Sequence, residues 1–251
     1  MAGDHKYFMQ NLSFEITHRV EKEHWWFRVR HKLLLMLIRK YSKNNKDLQI
    51  LDIGCGTGYI SKLIAPLGVV FSVDPSEAAI QVCRSQGLKN LYLGTADKLP
   101  FLDDHFDLVI ALDVLEHVKD DKQAVNEIYR VLKPDGILIC FVPAFMSLWS
   151  EQYDILMHYR RYTRQSLGLL FDGGWKCLKI SYFNFFLFPF IFFIRKSKKL
   201  FGLKQKNDEV EQVFFLNQLL FWIFEKEIFF LFHWRFSFGV SLLAVYKKLI
   251  R

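Results

Sequence analysis

Three glycines at alternate positions, Gly54, Gly56 and Gly58, follow a short apolar run and precede residues at helical spacing. That order makes a strand, a turn and a helix start, with glycines letting backbone N–H groups approach a ligand at the carboxyl edge of a sheet. The spacing is G-x-G-x-G, so the third glycine comes one residue earlier than in the G-x-G-x-x-G loop of dinucleotide enzymes, and Tyr stands at position 59. Asp52, two residues ahead of Gly54, suits a ligand ammonium group, whereas a pyrophosphate would gain nothing from an anion there. Asp74, twenty residues after Gly54 and just before Pro75, either accepts both hydroxyls of a ribose or caps the next helix. Ala96 and Asp97 follow a third apolar run, with Leu99 two residues on; a carboxylate there can take the amino group of an adenine while Leu99 lies on its ring.

The elements that must position these residues alternate in type. Apolar runs at 48–53, 69–73, 90–93, 106–112 and 137–142 read as strands, and 59–66, 76–86 and 122–132 between them read as helices. Such alternation predicts right-handed βαβ units and a parallel sheet covered on both faces, a Rossmann-like αβα sandwich. A helix over 163–171, stopped by Gly173 and Gly174, and strands at 176–183 and 239–247 complete a mostly parallel seven-stranded sheet with an antiparallel last strand. Helical spacing over 14–41, ended at 43–46, gives an N-terminal cap within 1–47. The expected organisation is one domain over 1–251: that cap, a core of 48–183 plus 239–248, and a Phe-rich helical insertion over 184–238.

At 251 residues the chain can bury one sizeable core. Its charge is unevenly spread: residues 1–150 carry 18 Lys and Arg against 18 Asp and Glu, and residues 151–251 carry 16 against 8, the whole formal +8. Phe divides likewise, 8 before that point and 18 after. A basic, Phe-rich second half points to an anionic membrane surface or an amphiphilic substrate ahead of nucleic acid. The cysteines at 55, 83, 140 and 177 form no C-x-x-C pair, so no metal centre is expected and they read as buried thiols of a reducing compartment. The first ten residues lack a basic start and an apolar run, which predicts a cytoplasmic protein.

Taken in order, LDIGCGTG, VDPS, GTADKLPF, FDLVIALDVLEHV and VLKPDGILI resemble the motif set of class I S-adenosylmethionine-dependent methyltransferases over residues 48–142. The flanks, EHWWFRVRHKLL, HYRRYT, SYFNFFLFPF and FSFGVSLLAVYKK, are similar to a bacterial group whose core is related to the ubiquinone and menaquinone methyltransferases. The resemblance implies that Gly54, Gly56 and Asp52 hold the methionine end of the cofactor, Asp74 the ribose, and Asp97 and Leu99 the adenine, with backbone from Leu112. It also implies an N-terminal arginine, Arg28 or Arg30, for the cofactor carboxylate. One departure is Asp135, where the family usually has glycine before Gly136.

Methyl transfer from a sulfonium is an in-line displacement that needs positioning, desolvation and a nucleophile free of its proton. An acceptor hydroxyl therefore needs a general base. His117, close behind Asp113 and Glu116, and His158 are the candidates; either can instead serve structure, His117 by orienting the helix that follows and His158 in a solvated loop. Arg160, Arg161 and Tyr162 beside His158 suit a phosphate or carboxylate on the acceptor. Ala111-Leu112-Asp113-Val114 stands where methyltransferases of nucleic-acid amino groups carry an Asn/Asp-Pro-Pro-aromatic tetrad, which favours an oxygen or carbon acceptor on a small or lipid-like molecule.

Residues 183–194 are apolar, contain Pro189 and are too short to span a bilayer, and the basic cluster 195–199 beside them suits an interfacial anchor. Residues 213–234 are interrupted by Glu225, Lys226 and Glu227, and Glu211, Gln218 and Glu225 recur every seven residues. The insertion is expected to wall the acceptor pocket and meet a lipid, with a homodimer interface or simple packing over the sheet as alternatives. Two other functions remain open: a nicotinamide-dependent oxidoreductase, and a catalytically silent membrane-associated module.

Overall fold

A computed structural model describes residues 19–42, 47–148, 158–189, 192 and 217–250. Seven strands form one sheet: β1 (Leu48–Ile53), β2 (Gly68–Asp74), β3 (Asn90–Leu93), β4 (Phe106–Leu112), β5 (Leu132–Pro143), β6 (Trp175–Phe183) and β7 (Ser241–Lys248). Their order is β3-β2-β1-β4-β5-β7-β6. The first five pair in parallel, and β7 runs antiparallel between β5 and β6. The expected Rossmann-like architecture is the one observed.

Helices flank the sheet: α1 (Trp25–Tyr41), α2 (Tyr59–Ile64), α3 (Glu77–Ser85), α4 (Asp121–Val131), α5 (Arg164–Gly168) and α6 (Asn217–His233). Central strands are buried on both faces, so they read as continuous apolar runs. Along β5, Leu138, Cys140 and Val142 join the core beneath α4, while Ile137, Ile139 and Phe141 join the core beneath α1 and α6. Successive side chains of a strand point to opposite faces, which produces this partition.

Several boundaries move for identifiable reasons. Pro66 ends α2 early and a single 3-10 turn, Ala65–Leu67, leads into β2. Ser76, Asp120 and Thr163 stand outside their helices as N-caps, each accepting a backbone N–H from the first turn. The N-terminal pattern is two helices, because His24 adopts an extended conformation and its Nδ1 accepts the Trp26 N–H at 3.2 Å, starting α1 anew. The departure at Asp135 sits at φ 66°, a left-handed position that Asp tolerates, and its carboxylate meets Lys247 at 2.6 Å. Cys177 is exposed, unlike the other three cysteines, because β6 is the edge strand and bulges there.

Of the insertion, α6 is largely described, and it covers α1. Phe224 lies 1% exposed with its ring 4.7 Å from that of Trp25. Asn217 accepts the Trp25 N–H and donates to the Glu23 carbonyl, and Lys32 forms an ion pair with Glu225. The seven-residue polar pattern misses the acid that matters for packing: buried Glu227 accepts the N–H groups of Phe185 and Phe186, fixing the chain as it leaves β6. Burial pushes its carboxyl up to about 7. Glu211 and the basic cluster 195–199 lie outside the described residues. Among the described residues, no helix is long and apolar enough to cross a membrane.

Phe224→Ala removes a ring from this core and is expected to destabilise the protein by about 3–5 kcal/mol, read from the urea unfolding midpoint. A loss below about 1 kcal/mol would mean that α6 is not part of the cooperative core.

Candidate active site

A cleft of 370 Å³ opens at the carboxyl ends of β1, β2, β3 and β4, lined by Ile53, Gly54, Asp74, Pro75, Gly94, Thr95, Ala96, Asp97, Asp113, His117 and neighbouring residues. Chain order reverses between β1 and β4, the switch point at which open α/β sheets hold ligands. Its volume lies within the range of small-molecule sites, about 300–1,000 Å³.

Asp74 organises one wall. One carboxylate oxygen accepts the Gly56 N–H at 2.9 Å and the other the Ser76 N–H at 2.8 Å, so a single side chain ties the glycine turn to the start of α3. Charge-assisted bonds to two N–H groups leave lone pairs facing the cleft. Gly54 has φ 72°, and a Cβ there would stand 2.8 Å from Val114 Cγ2, so both conformation and space require glycine. Gly56 and Gly58 do not line the cleft; Gly58 caps α2 in the left-handed region against Leu88 and Cys83.

The structure sets several of the expected residues away from this cleft. Asp52 does not reach the cleft: it is 2% exposed and accepts the Ser61 hydroxyl at 2.5 Å behind the glycine turn. Burial pushes its carboxyl up to about 7. Leu99 lies in the core with its N–H donated to Glu127, and Leu112 packs on the opposite face, so neither lines the cleft. The residues beyond β4 that do are Asp113, Val114, His117, Val118 and Lys119. Arg28 lies over the Phe221 ring at 4.2 Å, on the side of α6, whereas Arg30 ion-pairs with Asp113 at 2.5 Å and so stands at the rim.

Arg160, Arg161 and Tyr162 are engaged by groups of the protein itself. Arg160 holds Asp121 at 2.9 Å and the Lys119 carbonyl. Arg161 is 5% exposed and donates to the Ala144 carbonyl at 2.7 Å. Tyr162 donates to Asp121 from within the core. Held this way, His158 meets His117 with ring centroids 4.3 Å apart. Burial and the neighbouring His117 push His158 down to about 4, so the ring is neutral at neutral pH. Glu116, which the sequence showed only as a neighbour of His117, packs beside this pair and is fully buried.

Comparison with known proteins places this arrangement. A family profile described as a methyltransferase domain matches residues 51–140. Demethylmenaquinone methyltransferase of Staphylococcus aureus is 32% identical over 168 residues, 62% of this chain and 68% of that protein. The chain belongs to the class I S-adenosylmethionine-dependent methyltransferase family, and it is an enzyme of that class, which sets aside the oxidoreductase and the silent module. Solved structures share the fold at low identity. One is a chain of a Haloferax volcanii complex between the Trm112 methyltransferase activator and a methyltransferase, with TM-score 0.63, 17% identity and 96% of each chain covered. Another is phosphoethanolamine N-methyltransferase 2 of Haemonchus contortus in complex with S-adenosyl-L-methionine, with TM-score 0.57, 17% identity, and 86% of this chain and 52% of that one covered.

Buried Asp52 makes stability depend on pH with a definite sign. The folded state keeps its proton to about pH 7, whereas an unfolded Asp releases it near about pH 4. Stability from this group therefore falls as pH rises between those values and is flat outside them. Asp52→Asn retains an acceptor for Ser61 and should remove that slope, leaving the variant more stable than the parent at pH 8 by urea unfolding. Equal slopes in parent and variant would exclude Asp52 as the source.

Proposed function

We propose that the chain binds S-adenosylmethionine in this cleft and transfers its methyl group to an oxygen or carbon of a small, hydrophobic or lipid-linked acceptor. The observation that carries the reading is the convergence of Asp74, Asp97 and the Gly54 turn on one cleft whose far wall holds His117. Asp74 faces the ribose hydroxyls, Asp97 the adenine amino group, and the Gly54 backbone the methionine end. The bound cofactor supplies an electrophilic methyl on a sulfonium. Arg30, paired with cleft-lining Asp113, is the arginine assigned to the cofactor carboxylate, and neutral His158 with His117 would take the acceptor's proton. The Staphylococcus aureus relative acts, by its name, on demethylmenaquinone, and a quinone-type acceptor fits both the absent amino-methyltransferase tetrad and a cleft with apolar lining.

Isothermal titration tests the cofactor assignment. S-adenosylhomocysteine should bind the full chain and NADH should not; Asp74→Ala should abolish binding, while His158→Ala should lower turnover with cofactor affinity intact. No binding by the parent, or the opposite division between the two variants, overturns these roles.

Such an acceptor implies work at a membrane surface, and one face of α6 suits it. Leu219, Trp222 and Phe229 are exposed along it at 54%, 56% and 62%, with Trp234 just beyond the helix. Lys226 lies over the Trp222 ring, and the half of the chain bearing this face carries the whole net positive charge. The occupant proposed is the anionic, cytoplasmic face of a bilayer. Because α6 also covers α1, removing the insertion would open the core; Trp222→Ser with Phe229→Ser tests the face alone. The double variant should lose co-sedimentation with phosphatidylglycerol vesicles while its unfolding midpoint stays put, and equal partitioning would sink the idea.

A further inference from the structure

Glu116 is an unusual residue to find in the core. Its side chain is fully buried, and among the described residues neither carboxylate oxygen accepts a hydrogen bond from another residue. Burying an unpaired carboxylate is among the least favourable arrangements a fold can hold, and buried charges are ordinarily paired or bound to a metal. Beside it stand two imidazoles. One ligand atom from each of Glu116, His117 and His158 lies within 4.8 Å of the others, close enough for small side-chain shifts to bring all three onto one cation.

The backbone builds this cluster deliberately from two segments. Glu116 and His117 sit on the 3-10 turn Leu115–His117 that follows β4. His158 comes from the segment beyond β5, and the next residue, Tyr159, donates its N–H to the Glu116 carbonyl at 2.8 Å, locking the segments together. Arg160 and Tyr162 then fasten that segment to Asp121. Residues that hold ligand-bearing backbone in place are what a metal site requires around its donors. His117 also lines the cleft, so a cation here would border the space left for the acceptor.

We propose that Glu116, His117 and His158 form a binding site for one divalent first-row transition metal of the zinc class. Two imidazole nitrogens and one carboxylate are borderline donors that favour zinc, iron, cobalt or manganese over magnesium or calcium. Three protein ligands would leave a coordination position open, and because His117 lines the cleft an acceptor oxygen entering there could bind the metal and give up its proton as an alkoxide or phenolate. With metal bound, the two histidines hold the ion in place of the base role given above, and the acceptor's proton, made more acidic by the cation, leaves to solvent. The proposal rests on the proposed reading of the cleft for its role in methyl transfer, though not for the binding itself.

The test is a titration of the tag-free, full-length chain, stripped with a chelator, with Co2+ alone. One equivalent should be taken up with visible ligand-field absorption, and zinc should displace it. Glu116→Gln and His158→Ala should each weaken uptake by about tenfold or more, and so should His117→Ala, whose exposed ring makes its folding secure. No saturable uptake by the parent, or uptake unchanged in all three variants, overturns the site. S-adenosylhomocysteine titrations on the same samples separate the two readings: cofactor binding without metal uptake removes only the metal, and metal uptake without cofactor binding removes only the cofactor assignment.

Discussion

The carboxylate of Asp74 is the constraint from which the rest of the cleft follows. By accepting N–H groups from Gly56 and Ser76 it joins the turns after β1 and β2, whose backbones would otherwise end in unpaired donors at the edge of the sheet. The Gly54 and Cys55 N–H groups both reach the Val73 carbonyl, so the glycine turn is drawn toward β2. Only glycine allows that approach, because at Gly54 the left-handed backbone brings the Cβ direction onto Val114. Asp74 is 8% exposed, yet it lines the cleft, so its charge is stabilised by two fixed dipoles before any ligand arrives. The same residue thus ties two turns together at the edge of the cleft, while the cap of α3 falls to Ser76.

Behind this rim the sheet must stay rigid, and the last third of the chain supplies the cover. The antiparallel β7 enters between β5 and β6, with Leu243 and Val245 facing the α1 side and Leu242 and Ala244 the α4 side. On the first side α6 closes over α1, the helix that carries Arg30 to Asp113. Glu227 completes the connection by satisfying the N–H groups of Phe185 and Phe186 where β6 ends. Helix α6 therefore has two faces: an inner one that is core, and an outer one of exposed rings.

The fold was legible because its signals are local and repeated. A strand buried on both faces must be apolar throughout, and the residues after β1, β2 and β3 are punctuated by glycine, Asp and proline at intervals that only βαβ winding explains. The cleft was legible where backbone conformation dictates residue type, as at Gly54, or where a carboxylate ends a strand, as at Asp74. It was not legible where direction decides. Asp52 belongs to the expected strand end, but the side-chain alternation along β1 and the hydroxyl of Ser61 take it behind the turn. The side chains of Leu99 and Leu112 likewise pack away from the cleft, since spacing along the chain does not tell which side of a loop faces it.

The stretch from His158 to Tyr162 shows the same limit from the opposite direction. Two adjacent arginines beside a histidine and two tyrosines read as an open recognition loop, yet Arg161 is as buried as the hydrophobic core and donates to a backbone carbonyl. A guanidinium carries five donors, so one arginine can satisfy the orphaned carbonyls of a crossing chain that no regular strand pairs. Asp121 does complementary work from the first turn of α4, taking Arg160 and Tyr162 together. The polar residues of this segment thus immobilise one side chain, His158, against Glu116 and His117. Rigidity of that kind exceeds what a solvated loop needs, and it is the geometry demanded wherever a proton or a cation must be held at a fixed point beside a reacting methyl group.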